Sequence, residues 1–189
     1  RVHQHLSIRD DLPSRHRDHA AYELGRDFLK AGLLDRAEMS LTQVSANSKY
    51  GIPAKESLLE MYQIEKDWYK ATQASRELEK LQSISRATEI AHFHCELALE
   101  ALAKKDFSKA AQEIGKALEA VPNHPRATIL RGDLLVAQNQ LRPAIEVWLD
   151  IVERDTAYLP LIADRWMTAH EALGLTQEGL KHLLNGLQS

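Results

Sequence analysis

The stretch Asp106-Phe107-Ser108-Lys109-Ala110-Ala111, continued by Lys116-Ala117-Leu118-Glu119-Ala120-Val121-Pro122-Asn123, carries the reading of this chain. Ile114, Ala117, Leu118 and Val121 recur three and four apart, the spacing that gathers side chains on one face of a helix. Pro122 ends the run and, with Pro125, brackets a turn. Upstream, Leu97, Leu99, Ala101 and Leu102 repeat the helical spacing. Gly32 closes the run from Ala20 to Ala31, where a left-handed cap favours a residue without Cβ, and Gly174 separates two further runs. No segment alternates β-branched and polar residues as a half-buried strand would. The chain is therefore expected to be all-α.

The breaks return about every 34 residues, with units beginning near Asp18, Ile52, Ala91, Pro125 and Pro160. The expected segments are 18–51, 52–90, 91–124, 125–159 and 160–189. Residues 1–17 read as the second helix of a truncated earlier unit plus its connection, with Val2, Leu6 and Ile8 covering the first full unit. Surplus length at 82–90 reads as a longer linker or an added turn.

The quoted stretch resembles the tetratricopeptide repeat (TPR), whose pattern runs Trp, Leu-Gly, Tyr, Ala, Phe, Ala, Pro. The Asp18 unit supplies Leu24-Gly25, Phe28, Gly32 and Ala37, and the Pro125 unit supplies Gly132, Leu135, Ala144 and Trp148. The Ile52 unit has Tyr62, Trp68 and Ala71, but Leu59 where a small residue is usual. The resemblance implies a right-handed α-solenoid of antiparallel helix pairs, A and B. Small residues let the paired backbones approach: Gly25, Ala98 and Gly132 on A helices, and Ala37, Ala71, Ala110 and Ala144 on B helices. One pair cannot bury its own apolar face, so stacking supplies the stability and leaves a concave face lined by A helices.

Composition sets the boundaries of function. The chain has 189 residues, 44% hydrophobic and 27% charged, as a folded protein does. Twenty-four Lys and Arg against 27 Asp and Glu give a net charge of -3, so no overall positive field points to nucleic acid. No run of about 18 apolar residues suggests a membrane-spanning helix, and no direct insertion of this segment is expected. Its single cysteine, Cys95, cannot form an internal disulfide and suits a reducing, cytoplasmic setting. The chain starts at Arg1 and reads as cut from a longer one.

Catalytic and metal chemistry find little support. His92 and Cys95 share a helix face three residues apart, but two ligands are too few for zinc. His94 and Leu97 are expected to pack between helices. No base and orienting group can be assigned to activate Cys95, and no phosphate loop or nucleophile elbow is present. No enzyme, cofactor or metal is expected here.

Helix-A register instead directs a set of side chains into the groove. The first unit presents His19, Tyr22, Arg26 and Lys30, a basic and aromatic end, and the next presents Glu56, Glu60 and Gln63. His92, Cys95 and Leu99 follow, then Arg126, Ile129 and Asp133, then Asp164 and Glu171. Positions that hold Lys and Asn in a chaperone carboxylate clamp read Tyr22, Arg26, Ser57, His92 and Glu96. The asparagine ladder of glycosyltransferase arrays is replaced by Glu23, Ser57, Glu96, Leu130 and Arg165.

Three stretches carry a narrower resemblance: Arg1-Val2-His3-Gln4-His5-Leu6; Tyr22-Glu23-Leu24-Gly25-Arg26-Asp27-Phe28 with Gly32-Leu33-Leu34-Asp35-Arg36-Ala37-Glu38; and Glu89-Ile90-Ala91-His92-Phe93-His94-Cys95-Glu96-Leu97-Ala98-Leu99. They resemble the LapB (YciM) family of bacterial lipopolysaccharide assembly proteins. The resemblance implies a Gram-negative adaptor anchored in the inner membrane, its repeats on the cytoplasmic face and a zinc ribbon at its C-terminus. It also implies partners, the protease FtsH and the deacetylase LpxC, whose degradation the family promotes. A general peptide-binding or co-chaperone module, and the non-catalytic part of a glycosyltransferase, are the alternatives.

Overall fold

The computed structural model describes residues 14–181, and all regular structure among them is helical. The helices are α1 (Ser14–Lys30), α2 (Leu34–Thr42), α3 (Gly51–Glu65), α4 (Trp68–Gln82), α5 (Ala87–Ala103), α6 (Phe107–Ala120), α7 (Pro125–Ala137), α8 (Leu141–Arg154) and α9 (Leu159–Ala172). A 3-10 turn, Thr156–Tyr158, leads into α9, and residues 176–181 are helical again. The chain divides after Arg86 into two compact units. Pairs α1/α2 and α3/α4 make up the first, while α5/α6 and α7/α8, followed by α9, make up the second.

One turn recurs inside every pair. A left-handed residue stands at Gly32, Lys66, Lys105, Asn139 and Gly174, and the amide after it reaches back five residues. The bonds are Leu33 N to Phe28 O, Asp67 N to Tyr62 O, Asp106 N to Ala101 O, Gln140 N to Leu135 O and Leu175 N to His170 O, at 2.8–2.9 Å. This is the Schellman closure, which satisfies carbonyls left open at a helix end. Only two of the five positions are glycine. The turn repeats without a fixed residue type because its hydrogen bonds and the packing on either side hold it. Asp67 and Asp106 then start the next helix by accepting from Lys70 N and Lys109 N, both at 3.0 Å.

Close approach within pairs rests on missing side-chain volume. Ala37, Ala71, Ala110 and Ala144 are all completely buried, and Ala110 shares one core with Ala98. A Cβ at Gly25 would lie 2.6 Å from Leu41 Cγ, and one at Gly132 only 2.0 Å from Trp148 Nε1. The buried Trp148 indole donates to Ile129 O at 3.2 Å, so displacing the ring would also break that hydrogen bond. Leu59, the large residue at an expected small position, is buried all the same.

Residues 14–17, at the end of the segment read as a truncated helix plus its connection, already belong to α1, while Val2, Leu6 and Ile8 lie outside the described residues. One boundary differs from the sequence reading. At 82–90 the break covers only residues 83–86, and the surplus becomes an added turn of α5, which begins at Ala87 and not at Ala91. Arg86 N donates to Glu79 Oε1 and its guanidinium to Gln82 Oε1, both at 3.1 Å, which draws the break against the end of α4.

Candidate functional site: two charged helix faces

In the second unit, α5, α7 and α9 contribute to a groove of about 590 Å³. Leu99, Pro125, Ile129, Leu130 and Leu161 supply its apolar surface, and His124, Arg126, Asp133, Tyr158 and Arg165 its polar rim. Each arginine is tied to a carboxylate on the preceding A helix. Arg126 bonds Glu96 at 2.6 Å and also donates to His92 Nδ1 at 2.9 Å. Arg165 Nε bonds Asp133 at 2.8 Å, while its Nη1 donates to Leu161 O at 2.8 Å. Burial pushes the Asp133 carboxyl above its ordinary range, a shift that the Arg165 charge partly opposes. His124 is shifted down, first by burial and then by His92 and Arg126; in its neutral form Nδ1 can accept from Ala127 N at the start of α7, as the 3.3 Å contact requires.

Beneath this face lies a buried polar bridge. His94 Nδ1 and Glu113 Oε2 are 2.7 Å apart, and Lys116 Nζ donates to Glu113 Oε1 at 2.8 Å. Burial raises the Glu113 pKa, but the hydrogen bonds from Lys116 and His94 outweigh it and hold the carboxyl below its ordinary value.

The first unit arranges its charges differently. His19 stacks on Tyr50 with ring centroids 4.9 Å apart, and Tyr22 stacks on the same ring at 5.5 Å. The Arg26 guanidinium lies 5.7 Å from the Tyr22 centroid and the Lys49 ammonium 4.7 Å from that of Tyr50. Among the described residues, neither cation forms an ion pair; His19 has Glu23 at 3.9 Å. On another surface, Glu38 accepts from Tyr62 Oη and Lys70 Nζ, both at 2.8 Å, in a half-exposed bridge between α2, α3 and α4.

The expected groove residues therefore divide. His19, Tyr22 and Arg26 come together, with Lys30 exposed beyond them on α1. Glu56, Glu60 and Gln63 are exposed on α3, and Glu56 accepts from Gln82 Nε2 at 3.0 Å. Leu99, Arg126, Ile129 and Asp133 line the second-unit groove, which His92 borders through Arg126. Asp164 opens on an adjoining cleft of about 430 Å³ with Val136, Trp148 and Thr168, which shares the Asp133 and Arg165 pair with the groove, and Glu171 is exposed further along α9.

Cys95 requires a correction. It was expected on the groove with His92, but it is fully buried among Ala91, Ala98, Ala127 and Leu130. A helix turns 100° per residue, so three residues from His92 is far enough to enter the interhelix seam when the neighbours are alanines. Burial pushes its thiol up to about 11, far from the thiolate that nucleophilic or metal chemistry needs. Among the described residues, no three His, Cys, Asp or Glu side chains converge as metal ligands.

Sequence reasoning missed Lys49 and Tyr50 because they precede α3 and occupy no helix-A position. It also left out Glu96, Tyr158, Leu161 and Arg165. A signal for the arginine pairs was present: Glu96 and Arg126, like Asp133 and Arg165, are opposite charges about one repeat apart.

The helix pairs, their repeated closure and the small residues between them define a tetratricopeptide-repeat fold. A solved structure of MamA protein shares that architecture, with a TM-score of 0.52 over 90% of each chain at 16% identity, a likeness of fold alone. The chain is homologous over its whole length to lipopolysaccharide assembly protein B. It is 32% identical over 188 residues to the protein of Escherichia coli K12, covering 100% of this chain and 48% of that one. It is 27% identical over 158 residues to the protein of Haemophilus influenzae, covering 84% of this chain and 40% of that one. It thus spans about half the length of the curated relatives it matches. No protein-family model matches the sequence. No described helix is long and apolar enough to cross a membrane.

Proposed function

We propose that this chain is the protein-docking region of an adaptor in lipopolysaccharide assembly. The observation that carries the reading is the alignment of the entire chain with lipopolysaccharide assembly protein B. Its chemistry fits: half-exposed charges, aromatic rings and an apolar groove offer recognition, and the lone thiol is buried and protonated. On this reading the region acts without catalysis or a cofactor, at the cytoplasmic face of the inner membrane. It brings LpxC to the protease FtsH and so limits lipopolysaccharide synthesis. The test is capture of LpxC and FtsH from a Gram-negative membrane extract by the full-length protein, followed by LpxC turnover in cells lacking it. Capture of both, with slower turnover on deletion, is the expected result. Failure to capture either would overturn the adaptor reading and favour a general peptide-binding module.

A further inference from the structure

We propose that Arg26, Lys49 and the ring stack His19–Tyr50–Tyr22 form a docking point for an acidic protein segment. The proposal deepens the docking reading, but its test does not depend on which pathway the protein serves.

Three observations lead to it. First, Arg26 and Lys49 lie over ring faces and form no ion pair among the described residues, whereas Arg126 and Arg165 are each closed on a carboxylate. A cation resting on a ring keeps N–H donors directed away from the ring for an incoming carboxylate. Second, the rings stack on one another, linking α1 to the segment before α3. Stacking limits the side-chain motion of the rings that carry the cations, so less freedom is lost on binding. Third, both cations are exposed and the two tyrosines half-buried, so carboxylates and their hydrocarbon stems have access to charge and ring edge together.

The surroundings favour a short acidic segment over an extended polyanion. Glu23 stands beside His19 at 3.9 Å, and Asp27 is exposed on the same helix. With the net charge of -3, these carboxylates leave a local pair of cations and no broad positive field. A nucleic acid or an anionic bilayer would meet the carboxylates as well as the cations; a peptide can place its charges at Arg26 and Lys49 alone.

The probe is an acetylated hexaglutamate peptide titrated into the whole chain, followed by NMR shifts of the Tyr22 and Tyr50 rings. Saturable shifts are expected, weakened about threefold by Arg26→Gln or Lys49→Gln and about tenfold by both together. Tyr50→Phe should retain binding, Tyr50→Leu should lose it, and Arg126→Gln should leave it unchanged, with helicity checked for each. Raising salt from about 0.01 M to about 0.15 M shortens the screening length from about 30 Å to about 8 Å and should mimic the charge variants. Inorganic phosphate and vesicles containing phosphatidylglycerol serve as competing probes. Saturable binding of either at these rings with none of the peptide overturns the proposal, as does peptide binding that the folded double variant retains.

Discussion

The two units use the same kinds of side chain to opposite ends. In the first, Arg26 and Lys49 spread over tyrosine rings; in the second, Arg126 and Arg165 are tied to Glu96 and Asp133. All four cation–ring contacts among the described residues lie in the first unit, counting Arg36 on Phe28 and Lys70 on Tyr62. The buried bridge His94–Glu113–Lys116 has as its counterpart the half-exposed Glu38–Tyr62–Lys70. A paired arginine fixes the spacing between neighbouring A helices, whereas an arginine over a ring remains available to an outside anion. The second groove is held in shape from within, and the first face keeps its charge for recognition.

The largest effect should come from breaking the buried bridge. Glu113→Ala removes the carboxylate that both His94 and Lys116 reach, and is expected to cost about 3 kcal/mol. Glu38→Ala, in a half-exposed setting, should cost no more than about 1 kcal/mol. Equal losses in chemical denaturation would erase the contrast between the two bridges.

Next come the close contacts. Gly132→Ala forces a Cβ to within 2.0 Å of the hydrogen-bonded indole of Trp148 and should cost about 2 to 3 kcal/mol, more than Gly25→Ala, whose Cβ would overlap the buried Leu41 side chain less deeply, at 2.6 Å. Ala110→Leu, overfilling a completely buried site, should cost about 1 to 3 kcal/mol. Melting of Ala110→Leu like the parent would show that the small-residue register is wrong.

The pH response is smaller and signed. Glu113 and His124 both bind protons less readily folded than unfolded, so each favours the folded state above its ordinary pKa. That contribution declines for His124 as pH drops below about 6.5, and for Glu113 below about 4.5, until each folded value is passed. Thermal melts across this range should show stability falling with acid, with the upper part of the fall flattened in His124→Gln and the lower part in Glu113→Gln.

The smallest effects on stability should come from the exposed charges. Arg26→Ala with Lys30→Ala is expected to shift unfolding by less than about 0.5 kcal/mol while weakening capture of protein partners. A folded double variant that captures partners as well as the parent would remove these residues from the site. Chelation should leave the melting temperature unchanged, since Cys95 is buried and His92 contacts Arg126. Stoichiometric zinc in the purified chain would break that expectation.

By itself, the sequence determined the helix pairs and their class, because helical spacing, small residues such as Ala110 and Gly132, and breaks at Gly32 and Gly174 are local or periodic signals. It also located His19, Tyr22 and Arg26 on one face, since they follow helix-A spacing. Only the tertiary structure decided that Tyr50 completes this cluster, that Cys95 turns into the core, and that Arg165 closes on Asp133. Those outcomes depend on contacts between distant segments and on a few degrees of helix rotation against a neighbour. Side-chain order in one helix contains neither quantity: Cys95 and His92 are equally consistent with an exposed face until the alanines of α6 and α7 close over the thiol.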